Sequence, residues 1–202
     1  MLARHAENLF WTGRYIERAE DTARLLDVTY HALLESSAFE AQRAWGDVLS
    51  VLSLETAFRA SGKDLSASGV SEFLVLDRAQ PGSIVNAVTY ARENIRSLRE
   101  QVSSEVWEAI NGVHLELSAR DLRAELEQPH TLYAFVKARC QYLAGVVTET
   151  MARDDGWRVL QIGWMLERAE MTCRLLDVRF AREPLSQGGY HHWLSMLKAA
   201  SA

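Results

Sequence analysis

The chain is poor in cysteine, proline and glycine, and each shortage excludes a class of protein. Its 202 residues include two cysteines, three prolines and eleven glycines. Cys140 and Cys173 do not form a CxxC pair, which excludes a disulfide-stapled scaffold and a cysteine-rich zinc site. They predict a protein of a reducing compartment, the cytoplasm. So few helix breakers also leave room for long, uninterrupted helices.

Other absences argue against membrane, nucleic-acid and cofactor binding. No uncharged apolar run is long enough to span a bilayer, and the first residues lack the layout of a signal peptide. The net charge of −5 does not suit non-specific nucleic-acid binding, which needs a cationic surface. No phosphate-binding glycine loop or GxSxG motif is present, and the Glu127–His130 pair brackets Pro129 rather than lying on one helix. We therefore predict no cofactor and no metal.

Apolar residues recur at the helical period of three and four along most of the chain. The first segment, from Ala3 to about Glu35, shows the pattern at Leu9, Thr12, Ile16, Ala19, Ala23, Leu26 and Tyr30. Further helices are predicted over 39–60, 83–110, 117–127, 131–153 and 154–181, with short pieces at 70–76 and around Trp193. No stretch alternates like a strand, and no linker divides the chain. The prediction is one all-α domain, a bundle of six to seven helices.

Turn and capping residues indicate where the helices begin and end. Ser83, after a Pro-Gly turn, predicts a helix N-terminus, and Asn111-Gly112 predicts the end of that helix. Asp154 is expected to cap the last long helix. Gly13, Gly145 and Gly163 lie inside helices, where glycine costs about 1 kcal/mol, so they predict close helix crossings.

The chain contains an internal repeat. Residues 9–28 read LFWTGRYIERAEDTARLLDV and residues 159–178 read VLQIGWMLERAEMTCRLLDV, with eleven of twenty positions identical at an offset of 150. A duplicated long-helix unit explains this match, since the window is too mixed for low complexity. Repeat unit 1 then covers about 1–150 and a partial unit 2 about 151–202. Duplication predicts that the two copies pack with pseudo-twofold symmetry.

Charged residues of the repeat form a stripe at the edge of its apolar face. In the first copy this stripe is Glu17, Glu20, Arg24 and Asp27, and the second copy repeats the pattern with Glu167, Arg168, Glu170, Arg174 and Asp177. Arg14 and Arg18 are further candidate binding residues, although Arg18 falls outside the stripe, beside Trp11, Thr22 and Leu25. Charges near a core must be paired. The helix from Ser83 carries three arginines along one edge, Arg92, Arg96 and Arg99, which predicts an ion-pair network between this helix and the acidic stripe.

Two interpretations of these charges stay open. One is a structural network that sets the register between the two copies. The other is a polar pocket near the pseudo-twofold axis that binds an anionic or zwitterionic ligand through Arg18, Arg24, Arg168 and Arg174, because guanidinium groups pair well with carboxylate and phosphate. An enzymatic variant of the second makes Glu17 or Glu167 a general base in acyl or amide transfer.

At these motifs the chain resembles the alpha-E family, all-helical bacterial proteins named for a Glu-Arg ("ER") motif. The resemblance spans nearly the whole chain and implies that residues 1–202 form a single alpha-E-like helical domain. It includes both Gly-x-x-x-Glu-Arg-Ala-Glu segments and, in order, the stretches that begin at Ala6, Phe73, Ala91, Glu105 and Thr150.

The resemblance implies a partner rather than a reaction. Such proteins occur beside an ATP-grasp amide ligase and a transglutaminase-like protein, which implies an accessory or substrate-binding subunit of an amide- or peptide-bond-forming system. An auxiliary acyl- or amide-transfer enzyme and a structural oligomerisation module are the alternatives, so enzymatic activity is left open.

Two features of the second copy depart from the expected pattern. Trp164 stands where the first copy has Arg14, which argues against a symmetric site that uses both positions. The second repeat also looks shorter than in the family, which predicts uncovered apolar helix surface and self-association.

Overall fold

The computed structural model describes residues 1–34, 37–182 and 197–200 and confirms the all-α prediction. Within this part of the chain it contains nine helices and a helical turn at 197–199. The helices are α1 (Ala3–Ala32), α2 (Ala38–Val51), α3 (Glu55–Ala60), α4 (Ala67–Val75), α5 (Ile84–Arg96), α6 (Ser104–Ala119), α7 (Leu122–Glu125), α8 (His130–Thr150) and α9 (Asp155–Arg182). The short helix predicted around Trp193 lies outside the described residues.

Capping side chains mark the helix starts, including one start that the sequence analysis did not predict. The helix expected over 83–110 is two helices, because Ser103 accepts a hydrogen bond from the Val106 amide and begins α6. Gly112 therefore lies inside α6 rather than at a helix end. The expected N-caps at Ser83 and Asp154 are confirmed, since Ser83 Oγ accepts from the Asn86 amide and Asp154 Oδ1 from the Trp157 amide at 3.1 Å.

Helices α1, α5, α6 and α8 form an antiparallel four-helix bundle. Each contacts the next around a closed ring. Side-chain contacts run in opposite directions along each neighbouring pair: α1 meets α5 at Asn8–Ser97 and Tyr15–Tyr90, and α6 meets α8 at Ser103–Thr150 and Glu116–Arg139. The core between them is aliphatic, with Leu26, Ile95, Ile110 and Leu132 essentially inaccessible to solvent.

Helix α9 lies outside this bundle, along α1. Contacts advance together along the two helices, from Leu9 near Gly156, through Gly13 beside Gly163, to Glu17 on Arg168, so α1 and α9 are parallel. The other side of α9 exposes Ile162, Met165 and Leu166 at helical spacing. Self-association, expected from the sequence, would use this apolar stripe. No described helix is both long and apolar enough to cross a membrane.

Candidate functional site

Helices α1 and α9 cross at a pair of glycines that occupy equivalent positions of the repeat. A Cβ atom on Gly163 would lie 2.9 Å from the Phe10 carbonyl carbon, and one on Gly13 would lie 2.8 Å from the Trp164 amide nitrogen. Both distances are shorter than any real Cβ contact. The predicted close crossings at Gly13 and Gly163 are confirmed, whereas Gly145 has open space beside it and the prediction there was wrong.

One turn beyond the crossing, the Glu-Arg pairs of the two copies exchange ion pairs. Arg18 donates to both oxygens of Glu167, at 2.7 and 3.0 Å, and Arg168 donates to both oxygens of Glu17. In each pair the arginine of one copy bonds the glutamate of the other copy. This exchange is the arrangement that a twofold axis parallel to the helices would produce. The Glu-Arg motif therefore joins the first helix of the chain to the last long one.

Arg14 and Trp164 occupy equivalent positions of the repeat but differ in residue type. In the structure each of them bonds a glutamate on the other helix. Arg14 pairs with Glu167 and Glu170, and the Trp164 indole N–H donates to Glu17. A tryptophan supplies a hydrogen bond without a charge, so the substitution keeps the contact and removes one cation from the vicinity of Glu17. The two halves of the network consequently differ in charge.

The α1 cluster, which we define as Glu17, Glu20, Asp21 and Arg24 with Arg168, has three buried carboxyl groups and an excess of acid. Three carboxyl groups face two guanidinium groups, with Gln141 of α8 covering Glu20. Burial raises the pKa of Glu17 despite its bonds to Arg168. Burial, together with the neighbouring Glu17 and Glu20 carboxylates, raises the pKa of Asp21 to about 8. Asp21 is thus protonated at neutral pH in the folded chain.

Asp21 is expected to make the protein less stable as the pH rises. Between pH 4 and 8 the folded chain holds a proton on Asp21 that the unfolded chain, with an ordinary pKa of 3.8, has released. The free energy of unfolding therefore falls across this window and levels off above pH 8. Asp21→Asn should reduce this slope to the part that Glu17, whose pKa is also raised, contributes, and raise the free energy of unfolding at pH 8 by about 1–3 kcal/mol in urea denaturation.

The counterpart of Asp21 in the second copy is Met171, so an uncharged side chain is accommodated at the equivalent position. Glu149→Gln, an exposed change on α8, is the control and should leave the pH profile unaltered. A profile for Asp21→Asn with the wild-type slope would show that the slope has another origin.

The α9 cluster, Glu167, Glu170 and Arg174 with Arg14 and Arg18, has the opposite balance and borders a cavity. Two carboxylates face three guanidinium groups. The cavity is about 300 Å³ and is partly open to solvent. It is lined by Arg18 and Thr22 of α1, by Glu167, Glu170, Met171 and Arg174 of α9, and by Leu52, Leu54, Leu74 and the turn Gln80-Pro81-Gly82.

Several residues predicted for a ligand pocket lie elsewhere. Arg24 pairs with Glu20 and Arg168 with Glu17 inside the α1 cluster, so of the four predicted arginines only Arg18 and Arg174 line the cavity. Glu17 has no exposed surface and is enclosed by its partners, which places it out of reach of a substrate. Asp177 is exposed on α9.

Arg92 and Arg96 of α5, and Arg99 in the turn that follows α5, do not contact the acidic stripe, so the predicted ion-pair network was wrong. Arg92 bonds Asn111 and Glu93, Arg96 bonds Glu93, and Arg99 stacks on Trp107. Their partners lie on α5 and α6, because α5 packs against α1 through the apolar face that contains Ala91 and Ile95 and turns its charged edge toward α6. Within the stripe, Glu17 pairs with Arg168 of α9, Glu20 with Arg24 of α1 itself and Asp27 with Lys137 of α8.

Asp27 lies apart from both clusters, where α1 meets α8. Its carboxylate contacts His130 and Lys137 of α8 and His31 one turn along α1. Burial would raise the pKa of Asp27, but the hydrogen bonds from His130 and Lys137 outweigh this effect and lower it. The i, i+4 spacing of Asp27 and His31 was the signal available in the sequence, and the approach of His130 was not readable from it.

Comparison with known proteins places the chain in a family without revealing its activity. Uncharacterized proteins of Mycobacterium bovis and of two Mycobacterium tuberculosis strains are 29, 29 and 28% identical to it over 205 aligned residues. The alignments cover 89% of this chain and 23% of each relative, so the chain spans about a quarter of their length. No solved structure matches it.

The family model that matches describes a predicted alpha-helical domain with a conserved ER motif, and the match covers residues 1–202. This chain has two Glu-Arg dipeptides, Glu17-Arg18 and Glu167-Arg168, whose side chains pair with one another across α1 and α9. The chain belongs to the Alpha-E family.

Proposed function

We propose that this protein binds a small carboxylate-bearing ligand in the cavity beside the α9 cluster, as a substrate-holding subunit of a cytoplasmic amide-ligase system. The observation that carries the proposal is the pair of guanidinium groups in the cavity wall. Arg18 and Arg174 line the cavity beside Glu167 and Glu170, and Arg14, outside the lining, gives the α9 cluster one more arginine than carboxylate.

The lining suits an amino acid or a short peptide. Arg174 keeps 40% of its side chain exposed, which leaves its planar guanidinium able to receive a carboxylate. Glu170, 37% exposed, is placed to accept a hydrogen bond from an ammonium group. Leu52, Leu54 and Met171 offer an apolar wall for a side chain. A volume of about 300 Å³ is at the small end of ligand sites.

The contacts of the candidate bases favour binding over catalysis. Glu17 is enclosed, and both oxygens of Glu167 are already engaged by arginines. A general base needs a free lone pair within hydrogen-bond reach of the substrate proton. The link to an ATP-dependent ligase rests on the family resemblance, and it fits the chemistry, because amide ligases join a carboxylate to an amine.

Arg174→Ala is expected to weaken ligand binding at least about tenfold, the effect of losing one charge-assisted pair of about 1.4 kcal/mol. The measurement is calorimetric titration of the full chain with L-leucine and with a leucyl-leucine dipeptide, whose apolar side chains match the wall of Leu52, Leu54 and Met171. Arg174→Lys should recover only part of the affinity, since an ammonium cannot form the two-pronged contact.

Arg158→Ala is the matched control, because Arg158 is on the same helix, exposed and outside the cavity lining. Equal affinities for Arg174→Ala and Arg158→Ala would refute the binding site. The ligase link is tested separately by co-purification with an ATP-grasp amide ligase from the same organism. A ligase that neither binds the protein nor changes its rate in its presence would refute that link and leave the cavity proposal standing.

A further inference from the structure

The end of the bundle where α1 finishes and α8 begins gathers three side chains of metal-binding type. Asp27 and His31 lie one turn apart near the C-terminus of α1, and His130 is the first residue of α8. One ligand atom from each lies within 4.8 Å of the other two. His130 Nδ1 is 2.7 Å and His31 Nδ1 is 3.3 Å from the same oxygen, Asp27 Oδ1.

We propose that Asp27, His31 and His130 form a binding site for a divalent transition-metal ion of the zinc type. Two imidazoles and one carboxylate are a ligand set that Zn²⁺ and its neighbours in the first transition row accept. Ligand atoms about 2.0–2.2 Å from a zinc ion lie about 3–4 Å from one another, so small rotations of the histidine side chains complete the geometry.

The burial of the three residues fits such a site. The Asp27 side chain is 9% exposed, whereas His31 and His130 are 47% and 54% exposed. A buried, oriented carboxylate therefore faces two half-exposed imidazoles. His31 Nδ1 also bonds the Asp27 backbone carbonyl at 2.9 Å, a contact that coordination through Nδ1 would replace. The imidazoles already meet edge to face, with ring centres 4.5 Å apart. Solvent reaches this side of the group, which leaves further positions on the ion for water or a ligand.

Lys137 sets the expected strength of binding. Its ammonium donates to Asp27 Oδ2 at 2.5 Å and so holds the carboxylate with Oδ1 directed at the histidines. Such an outer contact orients a metal ligand. The positive charge also repels a cation, so replacement of Lys137 by a neutral donor should tighten binding.

The site is independent of the ligand cavity. It lies on the α8 side of α1, whereas the cavity lies on the α9 side. It also belongs to the first copy of the repeat alone, because Asp177 corresponds to Asp27 but Ala181 corresponds to His31. A metal site here is a specialised feature rather than a by-product of the Glu-Arg network.

The test is calorimetric titration of the chelator-treated full chain with zinc chloride, with thermal unfolding as a second readout. One zinc ion per chain is expected, with a rise in Tm. His31→Ala and His130→Ala should each weaken binding at least about tenfold, and Lys137→Gln should strengthen it severalfold. The histidine side chains are half exposed, so these variants are expected to fold, and circular dichroism checks this.

The paired variant His191→Ala/His192→Ala is the control, because those adjacent histidines lie outside the described residues and offer an alternative zinc site. Wild-type affinity in this variant supports the proposal. Zinc binding that persists in His31→Ala and His130→Ala, that disappears in the paired control, or that is absent from the wild-type chain would overturn it.

Discussion

Replacing Glu17 with alanine is expected to lower the free energy of unfolding by about 3–5 kcal/mol, the usual cost of removing one partner of a buried ion pair. Glu17 is fully buried and accepts hydrogen bonds from Arg168 Nε, Arg168 Nη2 and the Trp164 indole N–H. The alanine variant leaves the buried indole N–H without a partner and Arg168 without its counter-ion, in addition to a cavity. Urea denaturation at pH 7 measures the loss.

A double-mutant cycle separates the ion pair from general damage. Arg168→Ala should also be strongly destabilising, because it strands the Glu17 carboxylate in the core. The free energy of unfolding of the double variant should fall by about 2 kcal/mol less than the sum of the two single losses. In the double variant neither Glu17 nor Arg168 is left without its counter-ion, because both are absent. Glu149→Ala, on the exposed face of α8, is the control and should stay within about 0.5 kcal/mol of wild type. Strictly additive losses would mean that the Glu17–Arg168 contact contributes nothing of its own.

Gly163→Ala is expected to lower the free energy of unfolding by about 1–3 kcal/mol, or more, although alanine is the better helix former. The new methyl group would meet the Phe10 backbone, which cannot rotate away as a side chain would. Helices α1 and α9 must then separate, and the Arg18–Glu167 and Arg168–Glu17 pairs lengthen with them. Overpacking of this kind outweighs the gain of about 1 kcal/mol in helix propensity.

The chain supplies glycine controls of opposite sign. Gly112 in α6 and Gly145 in α8 have no neighbouring atom within 4 Å of the place that an alanine methyl group would take, so alanine at either site adds propensity without a clash. Each control should raise the free energy of unfolding by up to about 1 kcal/mol. If Gly163→Ala stabilises the protein as the controls do, the close crossing is not a requirement of the fold.

Short-range patterns predicted most of the elements. Periodic apolar residues located α1, α8 and α9 to within a few positions, and capping side chains located the starts of α5 and α9. The division of 83–110 into α5 and α6 was missed, because the signal there is a single serine cap without proline or glycine. A helix boundary of this kind is predictable from the sequence only when a proline or glycine accompanies it.

The candidate site was predicted in its residue types but not in its partners. The repeat singled out the Glu-Arg pairs, yet Arg92, Arg96 and Arg99 were an equally good charge complement on periodicity alone. Coulomb attraction alone does not determine which of two helices packs against the acidic stripe when both carry complementary charges. The choice of α9 came from the Gly13–Gly163 crossing, which brings the two motifs within bidentate range.

By itself the sequence determined the all-α class, which follows from the helical period of the apolar residues. It also determined that residues 9–28 and 159–178 are near-equivalent and that their Glu-Arg residues belong to one network, which follows from the identities at an offset of 150. Tertiary structure alone decided that the equivalent clusters differ. Helix α8 covers the α1 cluster, where Trp164 and Asp21 leave an excess of acid, while the α9 cluster keeps an extra arginine and borders a cavity. Burial and charge balance depend on which helix lies against each face, and that is a property of packing rather than of the local chain.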